Sequence, residues 1–281
     1  MSNPASPALV IAQLSDPHIF SAGQLMEGRV DTAEHLRQAF REVDRMQPAV
    51  NCVLLTGDLV NNGTPQEYAN LSAVMGSNIN RVVVVAGNHD DRSELRSTFP
   101  QLQGIGSAYE PLHYAVDLPS IGDDVDRSIV VLDTTVPGLH GGELDEGDLR
   151  WLYDALDLRR DRQVLIAQHH PPYLSGIDFM DDYCLKGASA EAEVLQLFTN
   201  IVGVVCGHLH RPSIAAFGGT IAVTAPSTAA QVSPDLNGGV TAYTNEPGMF
   251  AVHRWDAGSF VTHFRTIEPL DAWSPSWALA K

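Results

Sequence analysis

The sequence predicts a layered α/β sandwich, and two patterns carry the prediction. Short Val/Ile/Leu-rich runs recur without polar alternation, as strands buried on both faces do, and segments of helical spacing lie between them. After Arg211 the helical segments give way to hairpin-like runs. Mixed αβ units followed by hairpins indicate stacked layers of secondary structure. We read residues 1–268 as a single domain and 269–281, which hold Pro269, Pro275 and two tryptophans, as a C-terminal tail.

Each element has its own justification. Leu9–Leu14, Cys52–Thr56, Arg81–Ala86, Ser128–Leu132, Val164–Ala167 and Val202–Cys206 are the expected strands of the first part. Thr32–Met46 has Leu36, Phe40 and Val43 at helical spacing, with Thr32 as its expected N-cap and Glu34 in its first turn. A second helix, Pro65–Met75, opens on Thr64-Pro65, a capping residue followed by proline at the first helical position. Leu149–Leu158 and Ala190–Phe198 are two more. Beyond Arg211, Ile214–Phe217 and Thr220–Val223 flank a Gly218-Gly219 turn of hairpin type, and Met249–Arg254 and Ser259–Phe264 add two further strands. Segment Ser227–Pro247, rich in Gly, Asn, Ser and Thr, reads as a long surface loop.

Composition narrows the class. With 44% hydrophobic and 18% charged residues, the chain matches an ordinary globular protein. Its longest apolar stretches are far too short to span a bilayer, which excludes membrane insertion by a helix. The N-terminus has no basic n-region and its apolar run leads straight into the first motif, so the expected location is the cytoplasm. Three cysteines without C-x-x-C spacing, Cys52, Cys184 and Cys206, form no metal or disulfide pattern; Cys52 and Cys206 read as buried thiols in strands. A formal charge of -17 argues against nucleic acid as a partner. It does not exclude a small phosphodiester, because two divalent ions would outweigh the carboxylates of Asp16 and Asp58 locally.

Five motifs suggest where such ions would sit: D-x-H at Asp16 and His18, G-D at Gly57-Asp58, G-N-H-D at Gly87–Asp90, H-H-P-P at His169–Pro172, and G-H-L-H at Gly207–His210. Each follows an expected strand, and six of the eleven histidines fall inside them, so chance placement is a poor explanation. Residues two apart on extended backbone point the same way, so Asp16 and His18 can grip one ion. Asp58 has two carboxylate oxygens and can bridge two ions, as a neutral histidine cannot. Asn88 suits a neutral oxygen ligand, since a buried amide needs a partner. His89 then points elsewhere, with Asp90 and Asp91 as candidates to orient it. His169 is assigned to metal and His170 to a neighbouring hydrogen bond. His208 and His210 can reach different ions, with Leu209 turned into packing.

In this order the motifs resemble the calcineurin-like metallophosphoesterase superfamily over roughly Leu9 to Phe264. The phrases Gly87–Arg96, Val131–Gly138 and Ala225–Thr228 look like its bacterial class III cyclic-nucleotide phosphodiesterase and glycerophosphodiesterase branch. The resemblance implies a four-layer α/β/β/α sandwich of two mixed sheets flanked by helices. It places Asp16, His18, Asp58 and His210 on a first metal, and Asp58, Asn88, His169 and His208 on a second. The metals would be iron, manganese, zinc or cobalt, and the protein a homo-oligomer, dimer or larger. His89 would be the catalytic residue beside the leaving group, with Asn61 and Asp133 as candidates for the substrate pocket.

The expected function is therefore hydrolysis of small phosphodiesters, 3′,5′-cyclic nucleotides first, by in-line attack of a hydroxide made on the metals. The alternative is a glycerophosphodiesterase. A non-catalytic scaffold is disfavoured because every motif position is filled. Met26-Glu27-Gly28 and Thr228-Ala229-Ala230 depart from the aromatic and histidine that some relatives carry there, where the organic part of a substrate would lie. Glu27 would repel a dianionic monoester more than a monoanionic diester.

Overall fold

The computed structural model describes residues 8–239, 241–268 and 273–275; most of the 269–281 tail lies outside the described residues. In chain order the elements are β1 (Leu9–Leu14), α1 (Thr32–Arg45), β2 (Cys52–Thr56), α2 (Pro65–Met75), β3 (Val82–Val85), α3 (Arg92–Thr98), β4 (Tyr114–Leu118), β5 (Arg127–Val131) and β6 (Gly142–Glu143). Then come α4 (Glu146–Asp157), β7 (Gln163–Ala167), α5 (Asp178–Asp181), β8 (Leu185–Lys186), α6 (Ala188–Leu195), β9 (Ile201–Cys206), β10 (Ser213–Phe217) and β11 (Thr220–Thr224). Two short strands, β12 (Gln231–Val232) and β13 (Tyr243–Thr244), precede β14 (Met249–Trp255) and β15 (Phe260–Thr266).

Two mixed sheets result, in the orders β15-β14-β1-β2-β3 and β10-β11-β9-β7-β5-β4. The inner strands β1, β2 and β3 run parallel, as do β5, β7, β9 and β11. Their lack of polar alternation now has its cause. Leu9 and Ile11 of β1 face the other sheet, packing with Leu54, Val85, Ile129, Leu165 and Val205. Their neighbours Val10, Ala12 and Leu14 face α1 and α2 through Leu36, Phe40, Val43, Tyr68 and Leu71. A third core joins Val130, Ile166 and Val204 to Leu152 and Leu156 of α4 and Leu195 of α6. Three cores between four layers are the α/β/β/α sandwich the sequence predicts.

Helix starts follow local chemistry, with one correction. The N-cap of α1 is Asp31, whose carboxylate accepts from the Glu34 amide; Thr32 turns its hydroxyl to the His18 carbonyl instead. Thr64 and Glu67 close the reciprocal capping box of α2. Segment 227–247 is a surface loop only in its second part: the described residues of 233–247 are exposed or partly exposed, whereas residues 227–232 are buried and end in β12, which pairs with β13. Small side chains there pack under the site, and the Ser227 hydroxyl donates to the Asp16 carbonyl at 2.7 Å.

Candidate metal centre

The carboxyl ends of β1, β2, β3, β7 and β9 lie together where the two sheets meet, and each carries one motif. Backbone bonds stitch these ends. The Asp16 amide donates to the Gly57 carbonyl, the Gly207 amide to His169, and the His208 amide to the Asp16 carboxylate, at 3.0–3.1 Å. So close an approach requires glycine. A Cβ on Gly57 (φ +91°) would lie 2.8 Å from the Gly87 Cα and overlap His169 Nδ1, and one on Gly87 would overlap the amide and carboxylate of Asp58. Asp16, His18, Asp58, His208 and His210 all adopt positive φ. That is an uncommon backbone for non-glycine residues and a mark of functional sites.

Two donor sets emerge. His18 Nε2 and His210 Nε2 are 3.1 Å apart; they lie 3.5 Å from Asp58 Oδ2 and 3.6 Å from Asp16 Oδ1, respectively. In the second set His169 Nε2 is 3.4 Å from the same Asp58 Oδ2 and 3.1 Å from Asn88 Oδ1, which is 3.1 Å from His208 Nδ1. Four ligands at about 2.1 Å from one tetrahedral ion would stand about 3.4 Å from each other, so these separations fit ions. Asp58 Oδ2 belongs to both sets and is placed to bridge.

The unused ring nitrogens fix the orientation. His169 Nδ1 donates to the Thr56 carbonyl at 2.7 Å and His210 Nδ1 to the Ala230 carbonyl at 2.9 Å, which leaves each Nε2 lone pair for a cation. Burial drives His18 and His208 well below the ordinary imidazole range, so both are neutral donors. Burial opposes ionisation of Asp58, but His169, His18 and His89 hold its carboxyl well below the usual carboxylate range. Burial likewise disfavours a charged His169, yet Asp58 and Asp16 lift it to about 9. A cation held here would take the place of that proton, which would couple metal uptake to proton release. His170 belongs to neither set. Its Nδ1 meets the Thr134 hydroxyl at 2.7 Å and its Nε2 donates to the His140 carbonyl at 3.0 Å.

Above the donors opens a cavity of about 520 Å³ lined by His18, Glu27, Asp58, Asn61, Asn88, His89, His140, His208 and His210. Its outer wall is Phe179, Met180, Tyr183, Val232 and Tyr243. Leu209 packs with Ile177, Met180 and Val232 beneath that wall. His89 stands edge-on to His18 at 4.8 Å, its Nδ1 donating to the Asn61 carbonyl at 2.6 Å and its amide to Asp58 Oδ1 at 2.9 Å. Asn61 thus lines the pocket and orients His89.

Two expectations need correcting. Asp90 and Asp91 do not orient His89. Asp90 accepts from the Leu59 and Gly87 amides and the Tyr68 hydroxyl, while Asp91 caps α3. Asp133 does not line the cavity either. Its buried carboxylate pairs with Arg92 at 2.8 Å and accepts from Leu112 and Thr135, because α3 brings an arginine over that strand end. Of the two departing segments, Glu27 reaches the cavity, whereas Thr228 is buried and Ala229 and Ala230 line an adjacent groove. Sequence reasoning missed His140, Phe179, Tyr183 and Tyr243, none of which sits in a motif.

Comparison with known proteins agrees with this geometry. The family model of the calcineurin-like phosphoesterases matches residues 9–212. A probable glycerophosphodiester phosphodiesterase of Arcobacter nitrofigilis is 30% identical over 249 residues, 88% of this chain and 89% of that protein. A probable cyclic nucleotide phosphodiesterase of Rhodococcus erythropolis is 31% identical over 279 residues, 95% of this chain and 88% of that one. Among solved structures, a dimetal phosphatase from Danio rerio shares the fold with a TM-score of 0.61 at 18% identity, covering 91% of this chain and 98% of its own. The chain belongs to the calcineurin-like phosphoesterase family.

Proposed function

We propose that this protein is a two-metal phosphodiesterase of small diesters, with 3′,5′-cyclic nucleotides as its preferred class. The observation that carries the proposal is one cavity of about 520 Å³ lined both by His18, Asp58, Asn88, His208 and His210 of the two donor sets and by the aromatic rings of Phe179, Tyr183 and Tyr243. That volume suits a small organic ligand, and aromatic faces suit a heteroaromatic base. A glycerophosphodiester, the substrate named for the Arcobacter relative, has no ring to lay against them.

Asp16, His18, Asp58 and His210 would hold one ion, and Asp58, Asn88, His169 and His208 the other. Two divalent ions supply charge neutralisation on the phosphoryl oxygens and a water acidified towards a pKa of ~7. The chain's own residues do the rest. Asn61 holds the Nδ1–H of His89, so Nε2 faces the cavity, and in the imidazolium form of the ring it can give its proton to the leaving oxygen. The His89 amide on Asp58 Oδ1 ties that ring to the bridging carboxylate. Glu27 at the mouth, with no arginine or lysine among the described residues that line the cavity, disfavours dianionic monoesters.

The test is hydrolysis by manganese-loaded protein of cyclic AMP, glycerophosphocholine and bis(p-nitrophenyl) phosphate. The proposal expects kcat/KM on cyclic AMP to exceed that on glycerophosphocholine by ~10-fold or more, the size of one aromatic contact. The reverse order would overturn the substrate class, and no diester hydrolysis at all would overturn the reaction.

A further inference from the structure

We propose that His140 is a catalytic residue, donating a hydrogen bond from Nε2 to a nonbridging oxygen of the phosphoryl group as the ester is cleaved; this rests on the phosphodiesterase reading above. His140 lies on the segment between β5 and β6, outside every motif, yet lines the same cavity as the donor sets. Its backbone is anchored from below, because the fully buried His170 donates from Nε2 to its carbonyl. The other nitrogen of that anchor, Nδ1, meets the Thr134 hydroxyl at 2.7 Å, so the ring is held from both sides.

The side chain is oriented by Asn88. The Oδ1 of Asn88 faces His169 and His208 at 3.1 Å, which turns its amide nitrogen outward. That nitrogen lies 3.4 Å from His140 Nδ1 and can only donate, so Nδ1 accepts and the ring proton resides on Nε2. Among the described residues, no protein group bonds His140 Nε2. The ring is bracketed by His89 at 5.5 Å and edge-on Tyr183 at 5.4 Å. The result is an exposed N–H donor, oriented by Asn88 and the two rings, beside a candidate metal ligand. A phosphoryl oxygen gains negative charge during displacement, and a preorganised donor aimed at such charge commonly contributes 10²–10³ in rate, or less where ions share the load.

Three variants test this. His140→Phe keeps the ring and its Tyr183 contact but removes the donor, His140→Ala removes both, and His140→Gln restores an N–H. The proposal expects Phe and Ala to lower kcat on bis(p-nitrophenyl) phosphate by ~10–10²-fold with metal content unchanged, and Gln to recover part. The loss should be alike for aryl and alkyl leaving groups, because the bond is to a nonbridging oxygen. Calorimetric binding of inorganic phosphate to metal-loaded His140→Phe should weaken by ~10-fold, as for one charge-assisted hydrogen bond. A Phe variant with wild-type kcat and phosphate affinity, or one that loses metal, overturns the assignment. If the wild-type protein cleaved no diester, the proposed function would fail, and phosphate binding would still decide the role of His140.

Discussion

Gly57→Ala tests whether the close strand approach positions the metal donors. Its Cβ would sit 2.8 Å from the Gly87 Cα and 2.9 Å from the Gly87 nitrogen, where ordinary contacts need about 3.4 Å, so the ends of β2 and β3 must part by about 0.5 Å. Both obstacles are backbone and cannot rotate away. The same methyl meets His169 Nδ1, whose bond to the Thr56 carbonyl aims Nε2 at the second donor set. Alanine at φ +91° adds left-handed strain of about 1–2 kcal/mol to an overpacking cost of about 1–3 kcal/mol. The sum is about 2–5 kcal/mol.

Because Asp58 follows Gly57 directly, the displacement reaches the carboxylate shared by both sets. Misplacement approaching 1 Å costs ~10² in rate. Urea denaturation, metal analysis and kcat/KM on an aryl diester check this together, with Gly258→Ala as control, where nothing lies closer than 3.9 Å. Full metal content with stability within about 0.5 kcal/mol of wild type would refute the close-packing argument.

Three further outcomes follow from the same coordinates. His89→Ala should keep both metals and lose ~10²–10⁴ in kcat, the loss growing with poorer leaving groups; loss of metal would instead make His89 structural. Chelation should lower Tm by about 5–10 °C for each ion removed in scanning fluorimetry, since one ion at a hundredfold excess over its Kd adds about 2.7 kcal/mol, and an unmoved Tm would count against folded-state metal binding. Glu191 is buried with one long bond from Gln168 (3.4 Å), and burial pushes its carboxyl up to about 8. Between the ordinary 4.5 and about 8 the unfolded chain has released a proton that the folded chain keeps, so stability falls by up to about 1.4 kcal/mol per pH unit as pH rises. Glu191→Gln should therefore match wild type at low pH and exceed it above pH 8 in urea titrations, whereas a pH-independent difference would sink the argument.

What the sequence made legible was local. Each motif carries its own donors, three of the five carry their own glycine, and each follows a strand whose apolar run is continuous because both faces are buried. The convergence of Asp16, His18, Asp58, Asn88, His169, His208 and His210 could thus be read without knowing the topology. Other features depend on distant partners. Tyr114–Leu118 went unread as a strand because it pairs on one side only and is half exposed. The seven-residue α3 is too short for periodicity to show. Asp133 occupies a strand end like the metal donors, and only the arrival of Arg92 distinguishes it. His140 has no motif at all; its place is set by His170 and Asn88, from other strands.

The charge of the chain acquires a meaning from the cavity. Among the described residues no lysine or arginine lines it, while Asp58 and Glu27 do, and the buried Asp16 clusters with the lining residues His18, Asp58 and His210. The arginines that follow the motifs most closely are both engaged by carboxylates, Arg211 by Glu246 and Arg92 by Asp133. In the proposed enzyme, attraction for an anionic ester must therefore come from the ions and from imidazole donors. Two ions against two carboxylates leave a modest positive excess, enough for one phosphodiester charge and opposed by Glu27 when a second arrives. An enzyme built with lysine and arginine would hold mono- and dianions alike whether or not metal was bound. In the proposed enzyme affinity, charge selection and chemistry would all depend on the same two ions, and a chain charge of -17 would disfavour long polyanions.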